Sequence, residues 1–385
     1  MASKEIQLGN ITAPSIVSIE ACENYQQAVV DQAVRRLLQQ FGGLERWVRP
    51  GHRVHIKPNL LAAKAPDRAV TTHPSIVKAI VQWVQAIGAR VTIGDSPAGI
   101  SRPIADYWQA TGMQQIAEET GAELVQFEKK GVVERVIDGK SYFIAAAVAT
   151  ADVVINICKL KTHNLMLYTG AIKNMFGTVP GFRKSEYHKQ APRVEDFAKI
   201  IVDVFAATRP QLSIMDAVEI MDGSGPSAGR PNHLGLLIAS EDAVALDALG
   251  AQLLGFEDGE ILTTEEAYAR GFGEKQFDKI EFRGTALTPY QHLPFDLPSN
   301  RFQRHIPASL VRLLGKMVWV RPYPDAHRCK RCGICIANCP TRAMTPKDGF
   351  PMIDYDKCIS CFCCDEVCPH HAIDQRMSWL AKMFR

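Results

Sequence analysis

Nine of the eleven cysteines of this 385-residue chain fall between positions 329 and 368. Cys329, Cys332, Cys335 and Cys339 stand at intervals x2, x2 and x3 and are followed by Pro340; Cys358, Cys361, Cys364 and Cys368 repeat the intervals and are followed by Pro369. Three thiolates spaced in this way wrap a short loop around one face of an iron–sulfur cubane, and the fourth iron takes a more distant thiolate. Where two such runs share a chain, the fourth cysteine of each crosses to the other cluster. The spacing therefore predicts two 4Fe-4S clusters, one on Cys329, Cys332, Cys335 and Cys368, the other on Cys358, Cys361, Cys364 and Cys339. Zinc sites also use C-x2-C pairs, but four ligands complete them and they have no use for a repeated x3-Cys-Pro ending.

Cys363 lies inside the second run, but only Cys364 keeps both intervals, so Cys363 reads as a packed free thiol. Cys22 and Cys158 are isolated, and Cys158 in VVINICKL reads as a small core residue. The crossing makes the two runs one folding unit, a small C-terminal α+β ferredoxin-like domain. From Arg321 to Arg385 there are ten Lys plus Arg against seven Asp plus Glu. Each oxidised cluster with four thiolates adds about two negative charges, so the loaded module is near neutral and suited to serving its own chain.

A second group of reactive residues lies between positions 159 and 189. Lys159, Lys161, His163, Lys173, Arg183, Lys184, His188 and Lys189 stand there among glycines, with Glu186 the one carboxylate. This composition reads as an anion-binding site, with Lys57, Asn59, His73, Lys159, Lys161, Lys173 and Lys184 as candidate ligand-binding residues. His163, His188, Asp95 and Asp216 are the candidate catalytic residues. The histidines, His73 included, would donate protons or bind a metal, and Asp95, Asp216 and Asp222 would orient them or hold a cation.

The elements that must position these residues alternate between strand-like runs and amphipathic helices, the pattern of an α/β fold with a mainly parallel sheet flanked by helices. Apolar residues from Val29 to Phe41 recur at helical spacing and stop at Gly42-Gly43; Arg53 to Lys57 then alternates as a strand. A second helix opens on Pro74 and meets Gly88 as its C′ residue before the strand RVTIG. VVINI (153–157), LSIM (212–215) and LGLLIA (234–239) read as buried strands, VEDFAKIIVDVFAAT and DAVALDALGAQLLG as helices.

The polar segments stand just past these strands: Lys57-Pro58-Asn59, Asp95-Ser96-Pro97, Lys159 to His163, Asp216 to Pro226, and Ser240-Glu241-Asp242. In open α/β sheets the ligand crevice lies at the carboxyl ends of the strands, so these segments can converge. Singly, each also reads as a turn or a helix cap, Ser240 or Asp242 in particular. The expected organisation is an α/β domain over 1–285 carrying the ligand site, a proline-rich connector over 286–324, and the ferredoxin-like domain over 325–385. SLVRLLGKMVWV and the tail SWLAKMF read as amphipathic pieces that pack on the domains.

Other chemistry is missing. No G-x-G-x-x-G follows a strand, since GSGPSAG has the wrong final interval, and GTVPGFRKS lacks the phosphate-loop spacing. A flavin or a further metal stays open. The net charge of +3 and the absence of a basic run speak against nucleic acid. The start has no secretory pattern and no stretch reaches bilayer-spanning length, so no membrane span and a cytoplasmic location are expected.

The KPN, GDSPAG, KLKTH, TGAIKNMFGTVPG, DAVEIMDGSGP and SEDAVALDALGAQLLG segments resemble the iron–sulfur members of the family called domain of unknown function 362. The resemblance covers roughly residues 50–256. It implies iron–sulfur-cluster binding, as the cysteine runs do, and leaves the reaction open. The function expected is an oxidoreductase passing single electrons from an external donor or acceptor, through two 4Fe-4S clusters, to an anionic small molecule or cofactor in the α/β domain. The alternative is a non-enzymatic electron-transfer or redox-sensing protein that docks a partner.

Overall fold

A computed structural model describes residues 14–97, 103–181, 183–290, 293–298 and 319–379. One nine-stranded sheet is built from β1 (Ser15–Ala21), β2 (Arg53–Pro58), β3 (Arg90–Ile93), β4 (Glu123–Leu124), β7 (Val153–His163), β8 (Leu167–Thr169), β9 (Leu212–Asp222), β10 (Arg230–Ser240) and β11 (Ile280–Gly284). Between them, β5 (Val132–Ile137) and β6 (Lys140–Ala145) form a separate hairpin. The order across the sheet is β11-β1-β10-β9-β7-β2-β3-β4, with β8 folded back on β7. Most pairings are parallel, as expected, but β10 runs antiparallel to both β1 and β9.

Helices cover both faces for the reasons legible in their sequences. Gln27–Gln39 and Pro74–Ala86 bury Val30, Val34, Leu37, Ile76, Ile80 and Val84 against one face. Val194–Thr208 and Ala243–Leu254 bury Phe197, Ile201, Phe205, Leu246 and Leu249 against the other. Asp242 caps the last of these by accepting from the amides of Val244 and Ala245. Ser240-Glu241-Asp242 is thus a helix start, and Asp242 is occupied by capping.

Three strands are longer than their apolar runs. β7, β9 and β10 each span eleven residues, so Lys159 to His163 and Asp216 to Asp222 lie within strands rather than past them. Lys159, Lys161, Thr162 and Asp216 are tolerated in extended, buried backbone because each side chain finds a polar partner there.

The cysteine-rich part consists of two ribbons, β12 (Val320–Pro324) with β15 (Ile373–Met377) and β13 (Met344–Lys347) with β14 (Phe350–Ile353), and two one-turn helices, Ile334–Ala337 and Cys363–Glu366. Most of SLVRLLGKMVWV and of SWLAKMF lies outside the described residues. Among the described residues no helix is long and apolar enough to cross a membrane.

Candidate functional site

The carboxyl ends of β2, β3 and β7 bring the motif residues into one buried polar network. Lys57 is fully buried and ion-pairs with Asp95 at 2.8 Å. Asp95 also accepts from the amides of Leu60 (2.8 Å) and Ser96 (3.0 Å). Burial pushes the Lys57 ammonium down from its ordinary value while Asp95 opposes the shift. Gly177 explains the glycine of KNMFG: a Cβ there would stand 2.1 Å from Asp95 Oδ1 and 2.9 Å from Lys57 Nζ. Lys161 donates to Asn59 Oδ1 (3.0 Å) and to the carbonyl of Val70 (2.6 Å). Asn59 donates to Asn174, and Asn174 to Asn156.

Deeper in the sheet, Lys159 donates to Asp216 and to the Tyr25 hydroxyl, both at 2.9 Å. Asp216 also accepts from Tyr25 and from the amide of His73. The His73 ring stacks on Tyr25 at 3.6 Å and caps the helix Pro74–Ala86 through Nδ1. Lys159, His73 and Asp216 therefore serve one another in a closed cluster. Asp222 lies further along β9, where its carboxylate accepts from the amide of Asp296.

Other predicted residues do meet around a cavity of about 90 Å³, lined by Asn59, Asp95, His163, Lys173, Asn174, Lys184 and His188 from the α/β part and by Asn338, Cys363, Glu366 and Val367 from the cysteine-rich part. Lys184 is held to the rim by the carbonyls of Ser96 and Pro97, and burial lowers it to about 8. Among the described residues Lys173 has no hydrogen-bond or ion-pair partner and feels Glu366 only through space. The Thr169 hydroxyl, also on the lining, is buried without a partner. His188 stacks on Phe197 at 4.0 Å, and burial holds it at about 4, so the ring is neutral at pH 7.

Glu366, which spacing alone did not single out, enters this cavity from the second cysteine run. Its Oε1 lies 3.0 Å from His163 Nε2. His163 Nδ1 accepts from the amides of Leu165 and Met166, which leaves the proton on Nε2, facing Glu366. Burial and then Lys173 lower His163 to about 4. Burial alone would raise Glu366, but His163, Lys173 and His188 outweigh it and hold the carboxyl at about 2. Beside it Asp365 accepts from Asn164 at 3.1 Å, and Lys64 donates to the carbonyl of Pro369. A comparison of the two runs would have flagged these residues: positions 365 and 366 are Asp and Glu where the first run has Ile336 and Ala337.

None of the described cysteines is paired in a disulfide. Two small cavities lie among them, one lined by Cys329, Cys332, Cys335 and Cys368, the other by Cys339, Cys358, Cys361 and Cys364. Four cysteines line each space, and among the described residues no three ligand side chains converge on the position of a single ion, which suits a body of cluster size. Amides of Arg331, Ala343 and Ala372 donate to the sulfurs of Cys329, Cys339 and Cys368, as cluster thiolates require. The turns repeat between the runs: Arg331 and Ser360 have φ of 55° and 52°, and Gly333 and Phe362 have φ of 75° and 57°. A buried phenylalanine in the left-handed region is costly, and here it turns the loop around a cavity. Cys363 is buried, as expected of a packed thiol, and it also lines the cavity beneath the α/β part.

Comparison with known proteins separates the two parts. A thylakoid-associated protein of Synechocystis sp. is 35% identical over 250 residues, 64% of this chain and 77% of that protein. Shorter matches reach dihydromethanopterin reductase (acceptor) of Methanosarcina mazei, 39% identical over 67 residues, and trichloroethene reductive dehalogenase of Dehalococcoides mccartyi, 34% over 71. They cover 16% and 15% of this chain and only 28% and 13% of those proteins. Among solved structures, the lactate racemase apoprotein from Thermoanaerobacterium thermosaccharolyticum aligns over 66% of this chain and 60% of its own, at 12% identity and a TM-score of 0.40, too distant to carry functional weight. Residues 321–369 match a 4Fe-4S dicluster domain, so the chain carries an iron–sulfur ferredoxin-like domain. Residues 54–252 match the model described as a domain of unknown function (DUF362), and the chain belongs to that family.

Proposed function

We propose that the chain is an iron–sulfur oxidoreductase that delivers single electrons to a small anion held between its two parts. Cys329, Cys332, Cys335 and Cys368 would hold one 4Fe-4S cluster, and Cys358, Cys361, Cys364 and Cys339 the second. When bound, such clusters supply one-electron carriers. The α/β domain would end near residue 285 and the ferredoxin-like domain begin near 325.

The observation that carries this reading is the composition of the 90 Å³ cavity, in which Cys363, Glu366 and Val367 of the second cysteine run face Lys173, His163 and His188. The roles fall on this chain's own residues. Lys173 offers an unpaired ammonium, and Thr169 an unpaired hydroxyl, to an oxyanion. His163 holds a proton on Nε2, and Phe176, Phe197 and Val367 keep water away from it. The size of the cavity favours a ligand of a few heavy atoms over a nucleotide cofactor, since drug-sized pockets run to roughly 300–1,000 Å³. Lys57, Lys159 and Lys161 would preorganise the site from behind.

One observation favours the second reading, a redox-sensing or docking protein. Glu366 already supplies a carboxylate to the basic cavity, so the same charges also clamp the two parts together.

The experiment is titration of the anaerobic, loaded chain with small carboxylates and with phosphate, following the EPR signal of the reduced protein. An enzyme of this kind shows a saturable spectral change that is lost in Lys173→Met. No change with any oxyanion, and none on that substitution, leaves the sensing reading.

A further inference from the structure

The two cysteine runs repeat at an interval of 29 residues, so each position has an internal control. Cluster binding needs the cysteines and the turns, and these are shared. What differs between the loops must serve something else. In the second loop Ile359 and Ser360 lie between the first two cysteines, and Asp365 and Glu366 are turned against the α/β part. In the first loop the same places hold Lys330 and Arg331, both exposed, and Cys332 itself is exposed.

The surroundings of the first loop extend this basic character. Lys330, Arg331 and His370 line its cavity. Arg68 stands exposed on the short turn Pro66–Arg68 of the α/β part, just after Lys64, whose ammonium donates at 2.9 Å to the carbonyl of Pro369, next to His370. Arg328 is already satisfied by Asp325 and Asp374 and adds little outward field. Lys330, Arg331 and Arg68 have no carboxylate partner among the described residues. Among the described residues the Arg331 guanidinium donates only to the backbone carbonyl of Asp348, at 3.0 Å.

We propose that the rim formed by Lys330, Arg331, His370 and Arg68 around Cys332 is the docking surface for a small acidic electron-carrier protein. The inference rests on the iron–sulfur reading of the cysteine runs, not on what the cavity binds. Unneutralised cations around the exposed member of a ligand set steer an anionic partner to the one sulfur it can approach closely. Asp365 and Glu366 turn the later half of the second loop toward the α/β part, so the two loops take different partners: the first an external protein, the second the cavity. Each encounter transfers one electron, the carrier being oxidised and the loaded chain reduced by the same amount.

The test uses a small acidic 2Fe-2S ferredoxin as the probe, reduced beforehand and mixed anaerobically with the oxidised, loaded chain in a stopped-flow instrument. The second-order rate should fall at least about tenfold between low and physiological salt. Lys330→Glu with Arg331→Glu should lower the low-salt rate about tenfold or more, while reduction by a zwitterionic viologen changes less than about twofold. Arg68→Glu lies outside the cysteine loops and should lower the probe rate several-fold with iron content and EPR signals unchanged; it decides the matter if the double variant loads poorly. Salt-independent rates, or an Arg68→Glu variant as fast as the parent, would overturn the docking surface. A parent chain that holds no iron, or that even the viologen cannot reduce, would overturn the iron–sulfur function itself.

Discussion

The buried Lys57–Asp95 pair makes the sharpest energetic prediction. The two side chains are 0% and 5% exposed and 2.8 Å apart. Lys57→Met leaves the Asp95 carboxylate in the interior without its ion-pair partner, held by the amides of Leu60 and Ser96. Removing one partner of a buried pair costs about 3–5 kcal/mol, because the other charge stays desolvated. Asp95→Leu leaves the Lys57 ammonium with the carbonyl of Pro58 and should cost as much. The double variant replaces both charges by apolar groups and should lose less than either single variant, giving a coupling of at least about 2 kcal/mol. The exposed pair Arg53–Asp152, 58% and 39% exposed, is the control and should show about 0–1 kcal/mol. Urea unfolding of the loaded chain, followed by far-UV circular dichroism under anaerobic conditions, measures all of these. At roughly 2–4 °C per kcal/mol, the single variants should melt about 10 °C lower. If the three interior variants lose stability additively, the pair is not a coupled unit and the reasoning fails.

Three further outcomes follow from the same structure. Gly177→Ala forces a Cβ to within 2.1 Å of Asp95 Oδ1, so it should mimic the loss of the Lys57–Asp95 pair, and a variant of unchanged stability would show that the carboxylate can move aside. Lys173→Met, at an unpaired cation, should leave the urea midpoint unchanged or raise it slightly, and a large loss would mean that Lys173 chiefly clamps Glu366. His55 is fully buried between Thr92 Oγ1 and the carbonyl of Gly94, and burial lowers it to about 3. The folded state then binds fewer protons than the unfolded chain below about pH 6.5, so this contribution is complete above that pH and is lost as pH falls. Between about pH 6 and 4 the parent should lose up to about 1.4 kcal/mol per pH unit more than His55→Gln, and parallel pH profiles would contradict the assignment.

How far the sequence reaches depends on which interaction decides each feature. Cysteine spacing is local and chemical, and the two sets it predicted line two separate cavities. The motifs at 57–59, 95–97 and 159–174 did converge, because parallel strands place their carboxyl ends on one edge. Which lysines stay available was not legible. Lys57, Lys159 and Lys161 have the same composition and neighbourhood as Lys173, and only the packed structure shows that the first three are taken by Asp95, Asp216 and Asn59. Apolar runs mark the middle of β7 and β9 but not their polar ends, since pairing across neighbouring strands extends them. The antiparallel course of β10 is a matter of connection geometry that periodicity does not encode. Glu366 is not singled out by the spacing of the second run because its partner His163 lies some two hundred residues away in the sequence.

The proposed pair of 4Fe-4S clusters on the two cysteine runs, beside an anion cavity, is open to direct chemical measurement. Iron and acid-labile sulfide should be measured on anaerobically purified, fully reconstituted chain, with EPR of the reduced sample and of Cys332→Ser. Two clusters give about eight iron and eight sulfide per chain, interacting S = 1/2 signals, and selective loss of one signal in the variant. Four or fewer iron in fully loaded protein, or stoichiometric zinc in its place, would contradict it.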